Sequence, residues 1–182
     1  QWRPICLCQH GAFAPPADHF SPQAMRILAR IAAPARLRRH RCASTVSKVG
    51  MVGLGAMGTP MCENLMAAGY QLTVCDSHPG RVEAMVAKGA TAAATPAEAA
   101  SGVDAIVTMV PNDAVLKAVT CDRDTGLLRT FGGGVHVSCS TVHPDTSREL
   151  AALHAEAGSQ YVGAPIFARA DGVANRLASF VV

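Results

Sequence analysis

The chain has 182 residues, 49% of them apolar, which suits one compact domain with a tail rather than two full domains and excludes wholesale disorder. Aromatic residues make up only 4%, too few for a surface that stacks single-stranded nucleic acid, and no stretch approaches the roughly 20 apolar residues of a membrane helix. The net charge of +3 divides unevenly: residues 1–48 carry eight basic side chains against Asp18 alone, and the remainder carries eight basic and twelve acidic ones. The basic excess belongs to a leader, and the expectation is a soluble globular protein with no nucleic-acid and no membrane partner.

Residues 1–20 show no hydrophobic period. From Met25 the run Met-Arg-Ile-Leu-Ala-Arg-Ile-Ala-Ala-Pro-Ala-Arg-Leu-Arg-Arg-His-Arg-Cys-Ala-Ser-Thr contains no acid. Arg26 and Arg30 share one helical face, with Ile27, Leu28 and Ile31 on the other. This is transit-peptide composition, mitochondrial rather than secretory because arginines interrupt any apolar core of a signal. The expectation is a leader over residues 1–47, a true start at Met25 and a mitochondrial address. A disordered basic tail, with a cytoplasmic or plastid location, is the alternative. The seven cysteines (6, 8, 42, 62, 75, 121, 139) form no CxxC pair and read as reduced structural thiols.

The informative region starts at Lys48. An apolar run over 49–52 predicts a buried parallel strand. It leads into Gly53-Leu54-Gly55-Ala56-Met57-Gly58, and a helical pattern follows with Met57, Met61, Leu65 and Met66, stopped by Gly69. A second strand over 71–75 ends at Asp76. In such a strand–glycine–helix–strand–acid unit, Gly53 allows the tight turn, Gly55 lets a pyrophosphate approach the backbone, and Gly58 packs helix on strand. The helix start offers unpaired N–H groups and about half a positive charge to phosphate. Asp76 is placed to accept from both hydroxyls of an adenosine ribose. It also favours NAD over NADP, because a 2′-phosphate about 4 Å from a carboxylate meets a repulsion of roughly 4 kcal/mol per unit charge at an effective dielectric near 20. The following Ser77 and His78 supply no arginine to offset this, although a protonated His78 would soften it.

The alternation then continues. Residues 79–88 predict a helix with Val82, Met85 and Val86 on one face. Thr95-Pro-Ala-Glu98 reads as a capping box. Residues 104–110 predict a strand ended by Pro111, and Asn112 is placed to cap a helix carrying Val115, Leu116 and Val119. Strand 135–140, a helix from Pro144 to Gly158 and a short strand over 160–162 complete the pattern. Strands alternating with helices imply an α/β, doubly wound parallel sheet of Rossmann type. Ligands bind at the carboxyl ends of its strands, which would gather loops 53–58, 76–78, 110–112 and 140–144. Ser140 and Thr141 would bring hydroxyls there, or else serve as helix caps. His10, His19, His40, His136, His143 and His154 show no metal spacing and are expected on the surface or in loops, and no metal is expected.

Together these residues resemble the β-hydroxyacid dehydrogenase family over about 48–182. Val52-Gly-Leu-Gly-Ala-Met-Gly-Thr-Pro-Met-Cys-Glu-Asn-Leu65 is similar to the family's cofactor signature, in which Met57 and Asn64 go beyond a generic dinucleotide unit. Val107-Thr-Met-Val-Pro111, Ser140-Thr-Val-His-Pro144 and Tyr161-Val-Gly-Ala-Pro165 resemble three further family stretches. The resemblance implies that Val110, Pro111, Val115 and Thr141 contact the dinucleotide and that Ser140 lies on the substrate side. Where the family grips a substrate carboxylate with a serine and two glycines, this chain has Phe167, Ala168 and Arg169. The Arg169 guanidinium would then bind the carboxylate bidentately, or point outward into solvent. Ser138-Cys139 stands where an acid and a serine are usual.

The family's catalytic lysine lies in or before an all-helical second domain that also dimerises. No lysine follows Lys117, so no catalytic residue is assigned. The chain reads as truncated before that domain, which leaves 177–182 as an unpaired sheet edge. Two functions follow: the NAD(P)-binding half of an oxidoreductase that oxidises a small 3-hydroxy acid or reduces the matching semialdehyde or oxo acid, or a catalytically inactive dinucleotide-binding or interaction module. A homo-oligomer is implied only with the second domain.

Overall fold

The structure, a computed structural model, describes residues 46–181. The expected leader with Met25, Cys6, Cys8 and Cys42 lies outside the described residues, apart from Val46 and Ser47. The elements are β1 (Lys48–Val52), α1 (Gly58–Ala67), β2 (Gln71–Cys75), α2 (Pro79–Val86), β3 (Thr91–Ala92), α3 (Pro96–Ala100), β4 (Ala105–Thr108) and α4 (Asp113–Cys121). A 3-10 turn (Leu127–Arg129) precedes β5 (Val135–Ser138), α5 (Pro144–Glu156), β6 (Gln160–Gly163), β7 (Ile166–Phe167), α6 (Ala170–Ala174) and β8 (Ser179–Phe180).

Six strands run parallel in the order β3-β2-β1-β4-β5-β6, so the winding reverses between β1 and β4. This is the doubly wound Rossmann-type sheet. β4 and β5 are buried at every residue; β4 reads as a short apolar run, whereas β5, Val-His-Val-Ser, alternates although His136 and Ser138 are buried too. Odd-numbered positions of the central strands (Val49, Met51, Val107, Val137) cluster with Met61 and Leu65 of α1 and Met85 of α2. The opposite face meets α3, α4 and α5 through Val52, Ile106, Ala99 and Leu127, and through Val110, Leu116 and Leu150. The two faces place helix starts and loops at the same sheet end. Asn112 caps α4 as expected, its Oδ1 accepting from the Val115 amide at 2.9 Å. Thr95 accepts from the Glu98 amide, but Glu98 reaches back one residue further than a capping box requires, to the Ala94 amide at 2.7 Å.

Two expectations need correction. His136 and His154 are not surface residues: both are fully buried, His136 on β5 and His154 on α5. Nor is the C-terminal stretch an unpaired edge of the main sheet. Ser179 and Phe180 pair antiparallel with Phe167 and Ile166 as a separate two-stranded ribbon, and β3 and β6 are the edges of the large sheet.

Asn64 explains how that C-terminal piece is fastened. Its Nδ2 donates to the Val173 carbonyl at 2.6 Å, and its Oδ1 accepts from Arg176 Nε at 3.2 Å. α6 ends in a Schellman motif, with Leu177 N–H donating to Gly172 O and Arg176 N–H to Val173 O. Arg176 occupies the left-handed position at φ 60, alone among non-glycine described residues. The Asn64→Leu variant is expected to speed amide exchange across 166–180 about tenfold, the loss of one to two hydrogen bonds of roughly 1 kcal/mol each. Exchange in β1, β4 and β5 should stay unchanged.

Candidate functional site

The carboxyl ends of the central strands are tied in series. Gly53 N–H donates to Cys75 O, Met109 N–H to Val52 O, and Cys139 N–H to Thr108 O, all within 2.9 Å. The chain must then turn from β1 into α1 in very little space. Gly53 has φ +98, and a Cβ there would lie 2.2 Å from the Met109 carbonyl oxygen; a Cβ on Gly58 would lie 1.9 Å from Gly53 O. At Gly55 nothing stands within 4 Å of a Cβ, so that side faces open space. The turn leaves the amides of Ala56, Met57 and Gly58 with no acceptor among the described residues. Met57, the N-cap, supplies no side-chain cap either. Those amides and the positive end of α1 face a cleft of about 730 Å³.

Across the loop stands Asp76. Its Oδ2 accepts from the Leu54 amide at 2.6 Å and its Oδ1 from the His78 amide at 2.8 Å. Arg81 Nη1 and His78 Nδ1 both lie 3.4 Å from Oδ1. Partial burial works to raise the Asp76 pKa, but the two backbone amides, with Arg81 and His78, outweigh it and hold the carboxyl below its usual range. The neighbouring Cys75 thiol lines the same cleft and is pushed up to about 11 by burial, with Asp76 and Glu98 adding to the effect.

Of the residues singled out from sequence, Gly53, Gly55, Ala56, Met57, Gly58, Asp76, Val110, Pro111 and Val115 line this one cleft. Leu54 lies beneath it, buried, and contributes its amide to Asp76. The loop at 140–144 does not line it. Ser140 is buried, and its Oγ accepts from the Val110 amide at 2.8 Å, so it braces the cleft wall from behind. Thr141 is exposed. Neither caps α5, a position held by His143, whose Nδ1 accepts from the Asp145 amide. Arg169 is exposed at the start of α6, outside the cleft.

Sequence reasoning looked only to Ser77 and His78 for a neighbouring cation and missed Arg81: Pro79 starts α2, and its first turn carries Arg81 back over the carboxylate. A helix predicted to begin at Pro79 contained that signal. The far wall, formed by Ala118 and Val119 of α4 with Pro96 of α3, was also missed. The arrangement offers donors for a phosphate at one side, a fixed carboxylate at another, and apolar walls for flat rings between them. Gly58→Ala should unfold at distinctly lower temperature than the parent, since the added methyl meets backbone that cannot yield. Thermal denaturation followed by circular dichroism measures this.

Comparison with known proteins agrees with this geometry. Residues 48–182 match the family described as the NAD binding domain of 6-phosphogluconate dehydrogenase. An uncharacterised oxidoreductase of Bacillus subtilis is 41% identical over 129 residues, covering 70% of this chain and 45% of the relative. The mitochondrial 3-hydroxyisobutyrate dehydrogenase of Mus musculus is 33% identical over 126 residues, covering 69% and 38%. Among solved structures, Mycobacterium tuberculosis 3-hydroxyisobutyrate dehydrogenase with L-serine superposes with a TM-score of 0.69 at 27% identity, over 74% of this chain and 45% of that one. The chain thus spans less than half the length of these relatives. On the match to residues 48–182, the chain belongs to the family of 6-phosphogluconate dehydrogenase-type NAD-binding domains.

Proposed function

We propose that residues 48–182 hold NAD across the cleft and act as the cofactor half of a dehydrogenase for a small 3-hydroxy acid. The observation that carries this is the set of unpaired amides at 56–58 beside Asp76, at the point where the sheet winding reverses. In this reading the backbone of Gly55 to Gly58 takes the diphosphate, and Asp76, oriented by Leu54, takes the adenosine ribose. Val110, Pro111 and Val115 form the apolar wall that orients the rings and excludes water, with Ser140 fixing Val110 from behind. Bound nicotinamide supplies a ring that exchanges hydride with the hydroxyl-bearing carbon. Thr141, exposed on the loop after β5, would bring its hydroxyl to the nicotinamide. Arg169, exposed and without an ion pair among the described residues, is the cation this chain offers to a substrate carboxylate. The chain assigns no residue to the proton transfer. A mitochondrial destination is supported by the acid-free arginine-rich run from Met25 and by the likeness to the mouse mitochondrial relative.

NAD at 100 times its Kd should stabilise the domain by about 2.7 kcal/mol, on the order of 10 °C in Tm. No shift would refute the reading. Gly55→Ala should keep the parent Tm within about 2 °C, because its methyl enters open space, yet lose tenfold or more in NAD affinity, because that space is the phosphate path.

Cofactor choice is a contest between neighbours. Asp76 disfavours a 2′-phosphate, and Arg81 with His78 offsets part of that repulsion. NAD is therefore preferred by a margin smaller than Asp76 alone would set. Arg81→Ala should lower NADP affinity at least fivefold while changing NAD affinity less than twofold, as isothermal titration would read.

A further inference from the structure

A chain of four buried side chains crosses the α4/α5 face of the sheet. Thr108 Oγ1 meets His136 Nε2 at 2.9 Å, His136 Nδ1 meets His154 Nε2 at 2.9 Å, and His154 Nδ1 meets Ser159 Oγ at 2.8 Å. Ser159 Oγ also lies 3.2 Å from the His154 carbonyl, to which it donates. The protons can be counted. Two hydroxyls and two neutral imidazoles hold four hydrogens, and there are four links to fill. Ser159 donating to the carbonyl fixes the direction: His154 donates from Nδ1, His136 donates from Nδ1 to His154, and Thr108 donates to His136. Every link carries one hydrogen. A fifth proton on either ring leaves five hydrogens for four links, so one donor loses its acceptor and a charge is placed in a buried layer.

Among the described residues no acidic side chain compensates such a charge. The titratable group facing the pair from β6 is the Tyr161 phenol, edge-on to His136 with ring centroids 5.1 Å apart and tilted on His154 at 5.6 Å. Phe131 closes another side, edge-on to His154, and Thr108 is the β4 group. The helices' charged side chains near this face, Lys117 paired with Glu149, together with Arg148 and Glu156, lie on the outer surface. Burial holds both rings in the neutral form, His136 well below its ordinary pKa, with His154 adding to the effect, and His154 down at about 4. The same layer holds the Thr120, Ser138 and Tyr161 hydroxyls, buried and without a hydrogen-bond partner among the described residues. Opening to water would satisfy all three, which lowers the resistance to opening.

This seam is joined to the cleft at two points. Thr108 runs directly into Met109, Val110 and Pro111 of the cleft wall. At the start of α5, the His143 amide donates to Asp113 Oδ1 at the start of α4, the helix that carries Val115 and Val119.

We propose that the His136–His154 pair is a proton-operated latch: neutral, it fastens α5 and β6 to the sheet and keeps the cleft wall in place, and an added proton releases them. The coupling to the cleft rests on the dinucleotide reading above; the latch does not. The sign follows from the lowered pKa values. Closure is fully favoured above about pH 6.5, and the advantage is lost as pH falls from there toward about 4.

The test is amide hydrogen exchange of the full chain from pH 7.5 to 5.0, corrected for intrinsic rates. Protection in α5 and β6 and at the Val110 amide should fall about 30-fold for one coupled proton between pH 7.5 and 5.0, most of it below pH 6.5, with α1 unchanged. His154→Gln, which keeps a donor and an acceptor but removes one of the two titrating rings, should make the profile clearly shallower. His143→Asn retains an N-cap acceptor and should leave the profile in place, separating the latch from the cap. Should the His154→Gln variant fail to fold, the profile of the parent chain and of His143→Asn still decides. Flat α5 protection in the parent would overturn the latch. A pH-dependent α5 beside a flat Val110, with no effect of saturating NAD on the profile, would overturn the coupling. Failure of NAD to bind at pH 7.5 would instead sink the dinucleotide reading, and the α5 profile would still judge the latch.

Discussion

The site rests on one close approach. The Gly58 α-carbon packs so tightly on the Gly53 carbonyl that there is no room for a methyl, and this sets the path of residues 54–57. Because the loop must run outside that contact, its amides cannot fold back onto the helix, and they remain turned to the cleft. Asp76 then finishes the job from the neighbouring strand, gripping the Leu54 amide at 2.6 Å. The loop is held between two fixed points, so little further ordering cost remains when a ligand enters.

The two faces of the sheet solve the packing problem differently. Toward α1 and α2 the layer is apolar, built from Val, Met and Leu. Toward α4 and α5 it admits Thr108, His136, Ser138 and His154, all buried. Ile106, Leu116 and Leu150 still supply an apolar contribution there, but buried imidazoles need complete pairing to be tolerated. The asymmetry puts every buried histidine of the described residues on the α5 side of the sheet, where pairing rather than apolar contact must be complete.

Much of this was legible in the sequence where local chemistry is decisive. The glycines at 53, 55 and 58, the acid at the end of the second strand, and Asn112 before a helical pattern act within a few residues of themselves, so spacing alone reveals them. What stayed hidden depends on contacts between distant segments. His136 and His154 are 18 residues apart, and only the stacking of α5 on β5 brings their rings to 4.9 Å. A lone histidine carries no mark of that. Ser140 looked like a cap or a ligand contact, because the amide it accepts from belongs to Val110, 30 residues earlier. Asn64 stood out as more than a dinucleotide unit needs, but its purpose became clear only with α6 lying across α1.

Arg176 carries a consequence of its own. A left-handed residue at the end of a helix is ordinarily glycine, and an arginine there costs on the order of 1–2 kcal/mol. What offsets that cost is a side chain reaching to Asn64, so the course of the last strand is dictated by a tether rather than by backbone preference. Exchanging Asn64 or Arg176 would therefore redirect β8 while leaving the hydrogen bonds of the six-stranded sheet in place.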